Sequence, residues 1–366
     1  MLKWAFAVVT VVLVSGALRA GLYNPAEREE GKLNPDFAEF QKNTLFSLRI
    51  IRVDKVLGDP LQMRYIMMQQ SAPRVIPPEW NLPQRLSLSA YLIRREKFQE
   101  AIELLKPLSR KESDNFLVYS NLSTAYHLSG QEATLAYDAL DQALTIWPDN
   151  WNKLDDKMQL FLGQIGWDET KFRRYREAEI YQRELLKLRR LEKPKSQPET
   201  LDNLFGVNFV GESGSYEAGK LAAKEKAKLP ARALTIVQQL LVWSPHDPRL
   251  YWLLGEIYNA QGDVATALKI FKSPELTGED AAVFPAVPGF RVPLLVDHVR
   301  TLKKVPVPET NTQVPETKPP PEVTSNNPSF DVRTLLIGVF AGIIISIFAY
   351  WQIREIMRRR QGRTKV

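Results

Sequence analysis

Residues 249–272, RLYWLLGEIYNAQGDVATALKIFK, decide the fold. Tyr251, Leu254, Gly255 and Tyr258 fall at i, i+3, i+4 and i+7, one face of an amphipathic helix. Gly262-Asp263 interrupts that face. A second helical face resumes in Ala267, Ile270 and Phe271, so the stretch predicts two antiparallel helices joined by a short turn.

Tyr251-x2-Leu254-Gly255-x2-Tyr258 followed by Ala267-x3-Phe271 resembles a tetratricopeptide repeat, with Tyr251 in place of the usual first Trp and Glu279 where the final Pro is expected. The period of about 34 residues is traceable elsewhere. Leu88, Ser89 and Leu92 take first-helix positions and Ala101, Leu105 and Leu108 second-helix ones. The next repeat then starts at Phe116, with Tyr119, Leu122, Ser123 and Tyr126, a turn at Gly130 lengthened by one residue, and Ala136, Leu140, Ala143 and Pro148. Stepping back from the opening stretch places Ala233, Val237, Leu240 and Pro245 on second-helix positions, which makes Tyr216 to Lys228 the matching first helix. Two tandem pairs result, 82–150 and 214–281. Between them, 151–213 holds a divergent helix pair, Leu154 to Leu162 and an overlong Phe172 to Leu191 with an apolar stripe of Ala178, Tyr181, Leu185 and Leu188, and then a connection.

The resemblance implies an all-α, helix-turn-helix solenoid whose first helices line a concave face able to hold an extended or helical peptide. By the family's pattern the groove-facing positions of the last repeat are Arg249, Trp252, Glu256 and Asn259, and those of the first two include Leu86, Ala90, Arg94, Thr124 and His127. Trp252 and Arg249 are residue types that anchor interfaces; packing of Trp252 against a neighbouring helix is the competing reading. The Lys and Asn clamp by which some members hold C-terminal carboxylates is not matched.

The flanks set the topology. Residues 1–20 carry Lys3, an apolar run from Trp4 to Val14 and small residues at Ser15, Gly16, Ala17 and Ala20, the layout of a secretory signal peptide. A cut after Ala17, a cut after Ala20 and retention as an anchor all fit. Residues 21–81 read as a helical segment with Asp36 as cap and Phe37, Phe40, Leu48, Ile51 and Val56 at helical spacing, although Ile50, Ile51 and Val53 admit a strand; prolines at 73, 77, 78 and 83 mark its end. Past the repeats come a capping segment, 282–304, with a helix from Val292 to Leu302, and a stalk, 305–331, with seven prolines between Val305 and Pro328. The uncharged run Leu335 to Trp351 inside 332–352 predicts one transmembrane helix. The tail 353–366 has six Lys or Arg and one Glu, which by the positive-inside bias lies in the cytoplasm and leaves the body outside it.

The net charge of +7 belongs to the ends. Nine of the 49 Lys and Arg and one of the 42 Asp and Glu lie in 1–20 and 333–366, leaving 40 and 41 between. A nearly neutral body on the outer face argues against a nucleic-acid partner. The absence of cysteine excludes disulfides, thiolate metal sites and a Cys nucleophile.

The remaining motifs are weak. Gly214-Ser215-Tyr216-Glu217-Ala218-Gly219-Lys220 spells the G-x4-G-K of a phosphate loop, but Leu221 stands where a Mg²⁺-ligating Ser or Thr belongs. Gly211-Glu212-Ser213-Gly214-Ser215 lacks the last Gly of a nucleophile elbow. His127, His246 and His298 are far apart without ligand spacing, and Asp155-Asp156 and Glu279-Asp280 are adjacent carboxylates near turns. Residues 171–195 hold ten Lys or Arg against four acids, which reads first as a solvated helix face with ion pairs and second as an attractor of an acidic partner.

The expected protein is a non-catalytic, single-pass membrane scaffold of the cell envelope. It binds a protein or peptide of unspecified identity through its groove and uses no cofactor and no metal. Two alternatives remain: an enzyme or enzyme accessory acting on an envelope polymer, and a homotypic assembly module.

Overall fold

The 34-residue spacing of Ser89 and Ser123 corresponds to two helix pairs, α4 (Leu82–Arg94) with α5 (Phe98–Lys111) and α6 (Phe116–Leu128) with α7 (Ala133–Ile146). Local chemistry sets their starts. Asn81 and Gln84 form a capping box, each side chain accepting from the other's backbone N–H at 3.1 and 2.9 Å, with Pro83 in the first turn. Asn115 caps α6 through the N–H groups of Leu117 and Val118. Small residues stand where the paired helices approach most closely: the Ser123 hydroxyl donates to the Ala136 carbonyl across α6 and α7 at 2.6 Å.

The computed structural model of the chain describes residues 22–24, 33–51, 58–71, 77, 79–129, 133–190, 201–273, 276 and 293–305, all within one compact unit, Met1–Val307. The signal-peptide, stalk, transmembrane and tail expectations fall outside these residues, apart from Val305, as do Gly130, Val56, the Glu279-Asp280 pair and residues 191–200 of the connection. No helix among the described residues is long and apolar enough to cross a membrane.

Asp36 accepts from the N–H groups of Ala38 and Glu39 and starts α1 (Phe37–Phe40), which passes through a π-helical turn (Gln41–Leu45) into α2 (Phe46–Ile50); α3 (Pro60–Ser71) follows. Phe37, Phe40, Leu48 and Ile51 are buried, and the β-branched residues 50 and 51 form no strand. The divergent pair is α8 (Asp156–Gln164), capped by Asp155, and the 22-residue α9 (Glu169–Arg190). Then come α10 (Ala223–Lys226), α11 (Ala233–Trp243), α12 (Pro248–Ala260), α13 (Val264–Phe271) and α14 (Pro293–Leu302), the last inside the expected capping segment. Every described secondary-structure element is helical.

From α4 to α7 each helix packs on the next, and the series continues α7 on α9, α9 on α11, α11 on α12, α12 on α13 and α13 on α14. The opening stretch folds as expected: Asp247 caps α12 and Pro248 starts it, Gly262 makes the turn at φ +91°, and Asp263 caps α13. Gly255 lets α13 come close, since a Cβ there would lie 2.2 Å from Cε1 of Phe271.

One expectation is corrected. Tyr216 to Lys228 is not a first helix; 201–222 runs without helix and only Ala223–Lys226 coils. Gly206, Gly214 and Gly219 hold φ of +65°, +78° and +71°, outside the helical region. Asn259 of α12 then holds this path open, accepting the Gly219 N–H at 2.7 Å and donating to the Glu217 carbonyl at 3.2 Å.

Candidate functional site

The helices α6, α7, α9 and α11 come together around one residue that precedes them all. Tyr23 is 4% exposed. Its ring meets Trp147 after α7, Trp167 before α9, Tyr175 on α9 and Trp243 at the end of α11, with centroids 5.9, 5.3, 5.4 and 5.8 Å away, all edge to face. Such contacts set the ring's quadrupole edges against faces, a favourable arrangement beyond simple burial.

Polar groups fix both ends of this tyrosine. Its hydroxyl donates to Oε1 of Glu179 on α9 at 2.8 Å. Its backbone is held by one side chain: the Tyr23 N–H donates to Asn121 Oδ1 at 2.8 Å, and Asn121 Nδ2 donates to the Tyr23 carbonyl at 3.1 Å. Asn121 Nδ2 also reaches the Ser89 hydroxyl on α4 at 3.2 Å, which orients the amide. Burial pushes the Tyr23 phenol well above its usual range, and the Glu179 carboxylate adds to the effect, so Tyr23 stays a donor. Asn24 donates to the Tyr65 hydroxyl at 2.7 Å and ties the segment to α3. The arrangement holds one residue through both backbone groups and through its phenol hydroxyl.

Arg249, Trp252, Glu256 and Asn259 do share one face of α12, and the chain itself covers that face. Trp252 is fully buried and donates Nε1–H to Glu256 Oε1 at 2.8 Å. The same oxygen lies 2.6 Å from Nδ1 of His298 on α14, whose ring stacks on Tyr216 at 3.6 Å and 2°. Burial and the nearby Glu256 carboxylate push the Tyr216 phenol far up. Arg249 belongs to a buried ion cluster. It contacts Asp202; Arg189 of α9 holds Asp202 through several hydrogen bonds and reaches Asp247 at 2.8 Å, and the four side chains are at most 9% exposed. Burial alone would lower the Arg189 pKa, but the Asp202 and Asp247 carboxylates reverse this and hold it above its usual value. The cluster is charge-balanced and pins residues 201–202 to α9 and α12.

In the first two repeats Leu86, Ala90, Arg94 and Thr124 are buried. Arg94 Nη1 donates to the Val242 carbonyl at 3.1 Å, joining α4 to α11 across 148 positions. Thr124 donates to the Ser120 carbonyl at 3.0 Å. His127 is only partly covered as a residue, yet its Nε2 is sealed without a partner. Burial, with Arg189 nearby, lowers its pKa to about 3, so the ring is neutral near pH 7.

Sequence reasoning passed over Tyr23, Asn121, Trp147, Trp167, Tyr175 and Trp243, and it read Glu179 as an ion-pair partner of Arg183 on a solvated face; Glu179 is instead fully buried and accepts the Tyr23 hydroxyl, while Arg183 pairs with Asp141. One signal was present: Glu179 and Gln182 interrupt the apolar stripe of α9 at helical spacing, and both are fully buried. The basic run on α9 is spent locally, with Arg183 on Asp141 at 3.0 Å, Arg173 on Glu169 at 3.8 Å and Arg190 over the Tyr137 ring at 4.7 Å. In the G-x4-G-K stretch the Gly219 N–H is taken by Asn259, and Lys220 pairs with Glu217 at 3.0 Å. No group of three or more His, Asp or Glu that could hold a metal ion occurs among the described residues.

No protein-family model, no curated protein and no solved structure matches this chain.

Proposed function

We propose that this protein is a non-catalytic, membrane-anchored scaffold whose tetratricopeptide-like solenoid, held outside the cytoplasm, binds an extended segment of a protein partner on its inner face. One observation carries the reading: the helical body already holds a stretch of polypeptide that belongs to no helix, with the Asn121 amide on both backbone groups of Tyr23. A side-chain amide that pairs with a backbone N–H and carbonyl is a device for holding peptides, and the ring pocket beside it supplies selectivity. Support for the solenoid comes from the 34-residue spacing of Ser89 and Ser123 and from packing of helices in chain order. Support for the topology comes from the uncharged run 335–351 and the basic tail after it.

The test is cross-linking in native membranes, with partners identified by mass spectrometry, for the wild type and Asn121→Ala after circular dichroism shows equal helix content. The expected result is loss of at least one cross-linked envelope protein from the variant. An unchanged partner set would refute binding through this face.

A further inference from the structure

The segment Leu22–Asn24 is held differently from the rest of the core. The Tyr23 backbone N–H and carbonyl are held by the Asn121 side chain of α6, and its ring by the aromatic pocket. It sits ahead of α1 and connects to Leu33 through only eight residues, 25–32. It also fits the pocket incompletely. Trp147, whose ring touches Tyr23, has a buried Nε1–H with no partner; Gln182, one turn beyond the Glu179 that accepts the Tyr23 hydroxyl, has both amide atoms buried without partners. These residues are at most 1% exposed. Buried donors and acceptors left unpaired are costly and uncommon.

From this we infer that Leu22–Asn24 is a tethered occupant of an exchangeable site, and that the site's other ligand is an extended, tyrosine-bearing segment of a different protein. The inference rests on the peptide-binding reading above and specifies its ligand. The tyrosine is required because the pocket presents four aromatic rings and a carboxylate placed to accept a phenol hydroxyl. A different protein is favoured over a second copy of this chain, since a second Leu22–Asn24 would leave the same Trp147 and Gln182 groups unpaired. A ligand offering an acceptor to Trp147 and a complementary pair to Gln182 would meet them. The tether makes the resident segment a competitor at an effective concentration in the millimolar range. A free ligand therefore binds the intact chain more weakly than its intrinsic affinity allows.

The experiment uses the full chain in detergent micelles and a fluorescent peptide, Gly-Leu-Tyr-Asn-Pro-Ala-Glu, copied from residues 21–27, read by anisotropy. Tyr23→Ala should bind the peptide, with the wild type about 10- to 1,000-fold weaker because of the tether. A peptide with Phe for Tyr should bind Tyr23→Ala about 10-fold more weakly, for loss of a hydrogen bond to a charged group, and one with Ala should not bind. Should Tyr23→Ala lose its helical spectrum, the wild type is photocross-linked at millimolar peptide, with photoleucine for Leu. Adducts should then map to α6, α9 or α11 and be competed by the Tyr peptide but not by the Ala peptide.

A folded Tyr23→Ala that ignores the peptide, or adducts indifferent to the tyrosine, would overturn the assignment. So would a wild-type dimer in which Tyr23 of one copy cross-links to Asn121 of the other. If the assignment fails while Asn121-dependent cross-links to an envelope protein persist in membranes, the peptide-binding reading survives it; if those are absent too, both fall.

Discussion

Gly255→Ala probes the contact on which the helix-pair register depends. The added Cβ would stand 2.2, 2.7 and 2.9 Å from Cε1, Cδ1 and Cζ of Phe271, where carbon atoms normally rest about 3.5–4.0 Å apart. Phe271 is 2% exposed and fully packed, so its ring must retreat by more than about 1 Å into occupied space. Overpacking of this kind costs about 1–3 kcal/mol, and the roughly 1 kcal/mol by which Ala outdoes Gly in a helix reduces this to a net destabilisation of about 0–2 kcal/mol. In a Phe271→Ala background the obstacle is gone and only the helix preference remains. The same substitution should then stabilise by about 0.5–1 kcal/mol, on top of the roughly 3–5 kcal/mol that Phe271→Ala itself removes. The difference between the two backgrounds amounts to a coupling of about 1–3 kcal/mol. Denaturant unfolding of the detergent-solubilised chain, followed by far-UV circular dichroism, measures all four corners of the cycle. Additive effects, or Gly255→Ala destabilising equally in both backgrounds, would refute close packing of α12 on α13 through this residue.

Asp202→Ala leaves the guanidiniums of Arg189 and Arg249 buried with one carboxylate between them and should cost about 3–5 kcal/mol in the same unfolding assay; a change below about 1 kcal/mol would show the cluster to be hydrated. His127 predicts a pH dependence. Its folded pKa, about 3, lies below the unfolded value of 6.5, so its contribution is present above pH 6.5 and is lost as pH falls toward 3, at up to about 1.4 kcal/mol per unit. His127→Gln should flatten the stability profile in that window, and parallel profiles would contradict the assignment. Asn259→Ala removes both bonds that hold 217–219 open and should speed amide exchange at Gly219 more than at α12 core amides; unchanged exchange at Gly219 would mean the glycine turns alone hold the path.

Much of the helical framework is legible locally. The Asn81, Asn115, Asp155, Asp247 and Asp263 caps precede the helices they start, and the apolar spacing on either side of Gly262 places α12 and α13. The failure at 216–228 has a physical source. The 34-residue register is a statement about where a helix should fall, whereas Gly219 at positive φ and a side-chain clasp from Asn259, after positive-φ glycines at 206 and 214, keep the path there from coiling. The expected groove positions Arg249, Trp252, Glu256 and Asn259 were legible as a set, because they share one face of one helix. That the chain itself covers them was not, because the covering residues lie elsewhere: Asp202, Tyr216, Gly219 and His298.

By itself the sequence determined the class of the protein, an all-helical body whose pairs repeat through Ser89, Ser123 and Gly255, since periodicity, caps and small residues at close approaches act over a few turns of chain. Only the tertiary structure decided where Tyr23 lies and what surrounds it. Tyr23 meets Asn121 across 98 positions, Glu179 across 156, and Pro35 receives the Tyr258 hydroxyl across 223. A tyrosine three residues past the last small residue of the apolar N-terminal stretch carries no local mark of such a destination. Its pocket exists only when α6, α7, α9 and α11 are packed and their separate Trp, Tyr, Asn and Glu side chains converge on one point.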